Sequence, residues 1–173
     1  ADDHPALLYA RLEDVSYLET HSQVKRKLVA LLEEVKKQGD PELRYQTYSR
    51  LAIMELGDGH IESLTWSDGA LESDLATGDE RLIKQSQAEA LWMKVMFVIQ
   101  EESTRERLQA LLSFFEPDFP DSFVVHILLE SLSVNSLSTG DFQSALEFGI
   151  RSLHVTIGWL DLGWISNAEL NLA

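Results

Sequence analysis

The chain has 173 residues and no cysteine, which removes disulfides, thiolate catalysis and cysteine-ligated metals together. Positive charge is the next scarcity. Fourteen Lys and Arg stand against 29 Asp and Glu, a formal net charge of −15. Nucleic acids and anionic membranes are held by clustered cations that neutralise phosphate, so neither is expected as a partner. The imbalance deepens along the chain, because beyond Arg107 the only Lys or Arg is Arg151. The basic run Lys25-Arg26-Lys27, with Lys36-Lys37, shares its segment with Glu33 and Glu34 and reads as a solvated helix face. Four prolines and nine glycines are too few for a low-complexity linker. No run of about 18 uncharged apolar residues is present, so no transmembrane helix is expected. Gly-x-Ser-x-Gly elbows and Gly-rich phosphate loops are missing. Adjacent acids such as Glu33-Glu34 and Glu101-Glu102 diverge around a helix and do not converge as an acid–base pair. The chain is expected to be neither an enzyme nor a cofactor carrier.

What is present is helical periodicity. Leu7, Leu8, Leu12, Val15 and Leu18 mark an amphipathic helix from Pro5 to about Glu19. Val24, Leu28, Leu31, Leu32 and Val35 mark a second, ending at Lys36-Lys37-Gln38-Gly39, cations in the last turn and then a glycine suited to a left-handed cap. Asp40-Pro41-Glu42 begins a third, running to Gly57: Asp caps, Pro needs no donor at the first position, and Glu complements the dipole. A fourth covers Ile61 to Leu75 with Leu64, Leu71 and Leu75 inward; Gly69 within it is a weak point or a point of close packing. Asp79 opens a long fifth helix to about Gln100. Ser103-Thr104-Arg105-Glu106 has the form of a capping box and starts a sixth through Phe115. Phe123 to Leu137 is a seventh. Ser138-Thr139-Gly140-Asp141 turns into an eighth that reaches about Thr156, and Trp159 to Leu172 reads as a ninth. Period-two alternation is absent over any useful length, and the fold class is all-α.

The helix starts recur. Asp40, Asp79 and Asp118 stand 39 residues apart, each read as the start of a helix, and one further step lands on Ile157-Gly158. A two-helix unit repeated at 20–50 residues is the signature of an α-solenoid, here of about 8–9 helices in antiparallel pairs. Gly140-Asp141-Phe142-Gln143-Ser144-Ala145-Leu146-Glu147-Phe148 resembles the tetratricopeptide-repeat family in its Gly-Asp-aromatic turn and the Ala that follows for close packing. The resemblance covers roughly residues 22–158. It departs from the family in its longer period and in lacking the large aromatic early in the first helix. HEAT-like repeats share a period near 40 and are the structural alternative.

The resemblance implies one TPR-like domain over 1–173, expected to be part of a longer protein, with the first helix of each unit lining a concave groove. On those helices Arg44, Tyr45, Tyr48, Arg50, Lys84, Gln87, Trp92 and His126 are the candidate ligand contacts, an Arg/Tyr/Trp mixture typical of binding hot spots. The apolar end, with Trp159, Leu160, Leu162 and Trp164, is the candidate interface with a partner or a second copy. His126 and Glu130 share a helix face but lack a third ligand, so no metal site is expected. His60 beside Glu62, and His4 beside Asp2 and Asp3, are expected to be solvated. The acidic turn Asp118–Asp121 lacks the alternating ligands of an EF-hand.

The functional expectation is a non-catalytic module binding a protein, a peptide or a small ligand in its groove. Such helical regions resemble the extracytoplasmic input domains of bacterial signalling proteins, diguanylate cyclases and sensor histidine kinases, which implies a periplasmic location. The alternative is a cytoplasmic adaptor that dimerises through its C-terminal helix.

Overall fold

A computed structural model of the chain describes residues 8, 10–12, 20–97 and 103–161, the last three of these by backbone alone. Among the described residues the chain is all-helical, with eight helices and packing between neighbouring helices within each half, an arrangement compatible with a helical repeat. No strand occurs among the described residues. Residues 8 and 10–12 belong to α1. The others are α2 (His21–Gln38), α3 (Pro41–Gly57), α4 (Glu62–Leu75), α5 (Glu80–Met96), α6 (Thr104–Phe115), α7 (Phe123–Ser138) and α8 (Phe142–Asp161). The even-numbered helices from α2 begin at residues 21, 62, 104 and 142, steps of 41, 42 and 38.

One junction is used three times. Gly39, Gly78 and Gly140 have φ of 77°, 71° and 80°, a left-handed conformation that costs a side-chain-bearing residue about 1–2 kcal/mol. The aspartate after each glycine caps the next helix. Asp40 Oδ1 accepts from Leu43 N at 3.1 Å, Asp79 Oδ1 from Arg81 N at 2.9 Å, and Asp141 Oδ1 from Ser144 N at 3.2 Å. At the last junction Gly140 N–H donates to Leu137 O and Asp141 N–H to Ser136 O, the paired bonds of a Schellman motif. One residue therefore closes α7 and opens α8.

Four readings of the sequence are corrected. Asp118 starts no helix: it lies in a turn, and Ser122 caps α7 by accepting from Val125 N at 3.3 Å. Pro120 explains this, since it disfavours helical backbone at Phe119. Ser103 makes no side-chain cap, its φ/ψ of −101°/13° lying outside the extended region an N-cap serine uses. A reciprocal bond of that kind occurs instead at α2, where Thr20 N–H donates to Gln23 Oε1 at 2.9 Å. The break at Ile157-Gly158 is absent, and α8 continues to Asp161; no Asp-Pro pair or left-handed glycine interrupts it there. Lastly, the inward face of α4 consists of Ser63, Ser67, Ala70, Ser73 and Asp74, while Leu75 is 58% exposed. Small side chains let α4 press against α3: a Cβ on Gly69 would sit 2.6 Å from the Tyr48 ring.

Two compact units divide the chain at Ser86 and Gln87. The first has a core of Leu8, Leu12, Leu28, Leu32, Leu43 and Leu51, with Tyr48 and Trp66 packed against it. In the second, Leu91, Leu108, Leu112, Phe115, Ile127 and Leu128 are central, with Trp92 and Phe148 against them.

Candidate functional site

The densest cluster of chemically capable side chains lies in the first unit, where the start of α2 meets the end of α3. Folding α2 onto α3 about the Gly39-Asp40 turn brings Lys25 opposite Glu55 and His21 opposite Asp58. Glu55 is fully buried, a position a carboxylate holds only when paired. Lys25 Nζ lies 2.8 Å from Oε1, His21 Nε2 3.2 Å from the same oxygen, and His60 Nδ1 2.7 Å from Oε2. The other His21 nitrogen, Nδ1, is paired with the Asp58 carboxylate. The two imidazoles stand edge to face with centroids 5.8 Å apart.

The backbone sets His60 in place. Gly59, with φ of 72°, lets its N–H reach Leu56 O, and His60 N–H then donates to Glu55 O at 2.8 Å. The Schellman turn that ends α3 thus ties the main chain of His60 to Glu55 and aims its ring at the Glu55 carboxylate. His60 was expected to be solvated beside Glu62; it faces Glu55 instead, with about half its side chain exposed. Burial pushes the Glu55 carboxyl up, but hydrogen bonds from Lys25, His60 and His21 outweigh it and hold the group below its ordinary value. Lys25 is correspondingly raised, chiefly by its hydrogen bond to Glu55.

The expected groove residues divide between the two units. In the first, Tyr45 is buried in the core, Arg50 Nη1 donates to the carbonyl of Leu12, and Lys84 pairs with Glu80 at 3.7 Å. Arg44 and Tyr48 line a cleft of about 250 Å³ with Lys36, Gly69, Glu72 and Ser73. There the Lys36 ammonium sits 5.7 Å from the Tyr48 ring centre, and the Tyr48 and Trp66 rings are 6.1 Å apart. In the second unit Gln87 is half-buried on α5. Trp92 Nε1 donates to Glu130 Oε2 at 2.9 Å, and His126 Nδ1 contacts Ser152 Oγ at 2.9 Å. Glu130 is thereby turned to the indole, and His126 to α8. Of the interface candidates, Trp159 and Leu160 lie on α8 by backbone alone. Leu162 and Trp164, like His4, fall outside the described residues.

A second surface was missed from the sequence. Phe142, Leu146, Ile150, Leu153 and Ile157 on α8 are 69%, 66%, 45%, 56% and 42% exposed. Steps of 4, 4, 3 and 4 put them on one side of the helix. The opposite side, through Ala145, Ser152 and Val155, is buried. The stripe was legible as period, but the sequence drew attention to the Gly140-Asp141 turn and to Ala145 on the packed side of this helix.

No family model, no curated protein and no solved structure matches the chain.

Proposed function

We propose that this chain is a non-catalytic, TPR-like binding module of a signalling or scaffolding protein, and that it receives a helix of a partner protein along the outer side of α8. The observation that carries the reading is the exposed stripe from Phe142 to Ile157. Its near-heptad spacing suits the knobs-into-holes packing of another helix. Large apolar side chains aligned over four turns are what mark protein-interaction surfaces, whereas scattered ones are ordinary. The partner's chemistry follows from charge. Past Arg107 the chain has one Lys or Arg, Arg151, and it is already paired with Glu116. A helix with apolar residues at heptad spacing and Lys or Arg at its flanks is favoured over an acidic one. The resemblance to input regions of bacterial membrane signalling proteins supplies the wider context of this reading, with the extracytoplasmic side as its location.

The test uses a synthetic amphipathic helix with Leu at heptad positions and Lys at the flanks, titrated by fluorescence anisotropy. Wild type binds it, the double variant Leu146→Glu/Leu153→Glu binds at least about tenfold more weakly, and added salt weakens wild-type binding. Both substituted positions are exposed, so the fold is retained, as circular dichroism would verify. Sedimentation over a range of concentrations distinguishes the second reading, in which the stripe is taken by another copy of this chain: a dimer abolished by the double variant selects it. A monomer that ignores the peptide overturns both.

A further inference from the structure

We propose that His21, Glu55 and His60 form a binding site for a divalent transition-metal ion of the zinc type, with Asp58 positioning His21. Two imidazoles and one carboxylate, each offering one atom, lie with those atoms all within 4.8 Å of one another. Nitrogen and carboxylate oxygen are the donors zinc prefers in the absence of thiolate, and this chain has no thiolate to offer. Tetrahedral ligands of one zinc ion, each about 2.0–2.2 Å from it, stand about 3.3–3.6 Å apart. Closing the cluster from 4.8 Å onto an ion needs a contraction of no more than about 1.5 Å. His60, half-exposed at the end of a turn, has the freedom to make it.

The orientation of His21 supplies the second argument. Its Nδ1 is paired with the Asp58 carboxylate, which holds the plane of the ring. Its Nε2 then faces Glu55 Oε1 across 3.2 Å. A histidine whose far nitrogen is held by a carboxylate, with the near one free to ligate, is the arrangement that supports metal-bound imidazoles. Lys25 is the built-in competitor. Its ammonium is 2.8 Å from the same oxygen, but its side chain is one-third exposed and can withdraw into solvent as the ion enters. Asp58, Lys25 and Glu62, which acts on Lys25 through its charge, are further charged groups at the cluster, so an incoming dication replaces the charge that Lys25 otherwise provides.

Zinc chloride is titrated into the chain at pH 7.5 by isothermal calorimetry, with far-UV circular dichroism on every variant. Wild type takes up one equivalent saturably, and His21→Asn/His60→Asn, which leaves Glu55 and its Lys25 partner intact, loses at least about tenfold in affinity. Asp58→Asn, which leaves all three ligands, loses about 10- to 100-fold as the positioning role requires. Lys25→Met, which removes the competitor, gains affinity. No saturable uptake by wild type, or uptake of equal affinity by the double histidine variant, overturns the proposal. The cluster is then an ion-pair and hydrogen-bond network only.

Discussion

At Gly69 a single hydrogen atom in place of a side chain decides how two helices meet. Tyr48 of α3 fills the space that a Cβ on α4 would occupy, at 2.6 Å from its Cε1. The ring cannot simply turn away, since it packs on Trp66 and on the first core. Gly69→Ala should therefore destabilise by about 1–3 kcal/mol, the usual cost of overpacking, even though alanine is by about 1 kcal/mol the better helix former. Urea unfolding measures this, and a net gain in stability would mean that α4 shifts freely. The sequence marked Gly69 as either a weak point or a close contact and could not choose, because the choice depends on what lies across the interface.

A second residue-scale effect is set by charge. Asp141 caps α8, and its carboxyl is held below the ordinary value by its hydrogen bonds from Ser144, with Arg105 contributing through contacts at 3.1 and 3.2 Å. A carboxyl with a depressed folded-state pKa stabilises above its unfolded value near 3.8 and loses that contribution as pH falls through the folded one. Asp141→Asn keeps an acceptor for the Ser144 amide but drops the ion pair. Wild type should exceed it in stability at pH 7, and the gap should shrink as pH falls below about 4. Thermal melts at stepped pH would read it. A gap independent of pH would exclude the charge as the cause.

The elements follow from junction chemistry more than from helix interiors. Asp40 accepts its cap bond while Pro41 stands at the first helical position, and Asp40→Ala should cost α3 about 1 kcal/mol. Chemical denaturation would show the loss, and an unchanged midpoint would mean Pro41 and Glu42 hold the start unaided. The helices themselves were readable because turn residues act locally: Gly39, Gly78 and Gly140 adopt positive φ wherever the chain folds back. Where local signals competed, the reading failed. Pro120 overrode the 39-residue spacing at Asp118, and Ser103 had the sequence of a capping box without its backbone angles. The buried face of α4 was misread for a related reason. Leucine usually points inward, but here close approach to Tyr48 selected serine and alanine.

For the molecule as a whole, a net charge of −15 makes repulsion among like charges a general cost of compactness. Raising ionic strength from about 0.01 to 0.15 M shortens the screening length from about 30 to 8 Å, so the melting temperature should rise over that range. A fall would show that surface ion pairs such as Arg105–Asp141 outweigh the repulsion. The cluster around Glu55 also has its explanation at this scale. Lys25 lies 15 residues before Asp40 and Glu55 15 after it, so an antiparallel pair folded at that turn must place them together. The spacing was there to be read. His60 was not, because its approach to Glu55 depends on the Gly59 turn closing in one specific way. Composition and periodicity by themselves determined an acidic, cysteine-free, all-helical chain with turns at Gly39-Asp40, Gly78-Asp79 and Gly140-Asp141, since burial pattern and turn geometry are local. Only the tertiary structure decided which polar groups meet in the interior and which apolar face of α8 stays in water. Those depend on the rotation of each helix against its neighbours, and period alone does not fix that rotation.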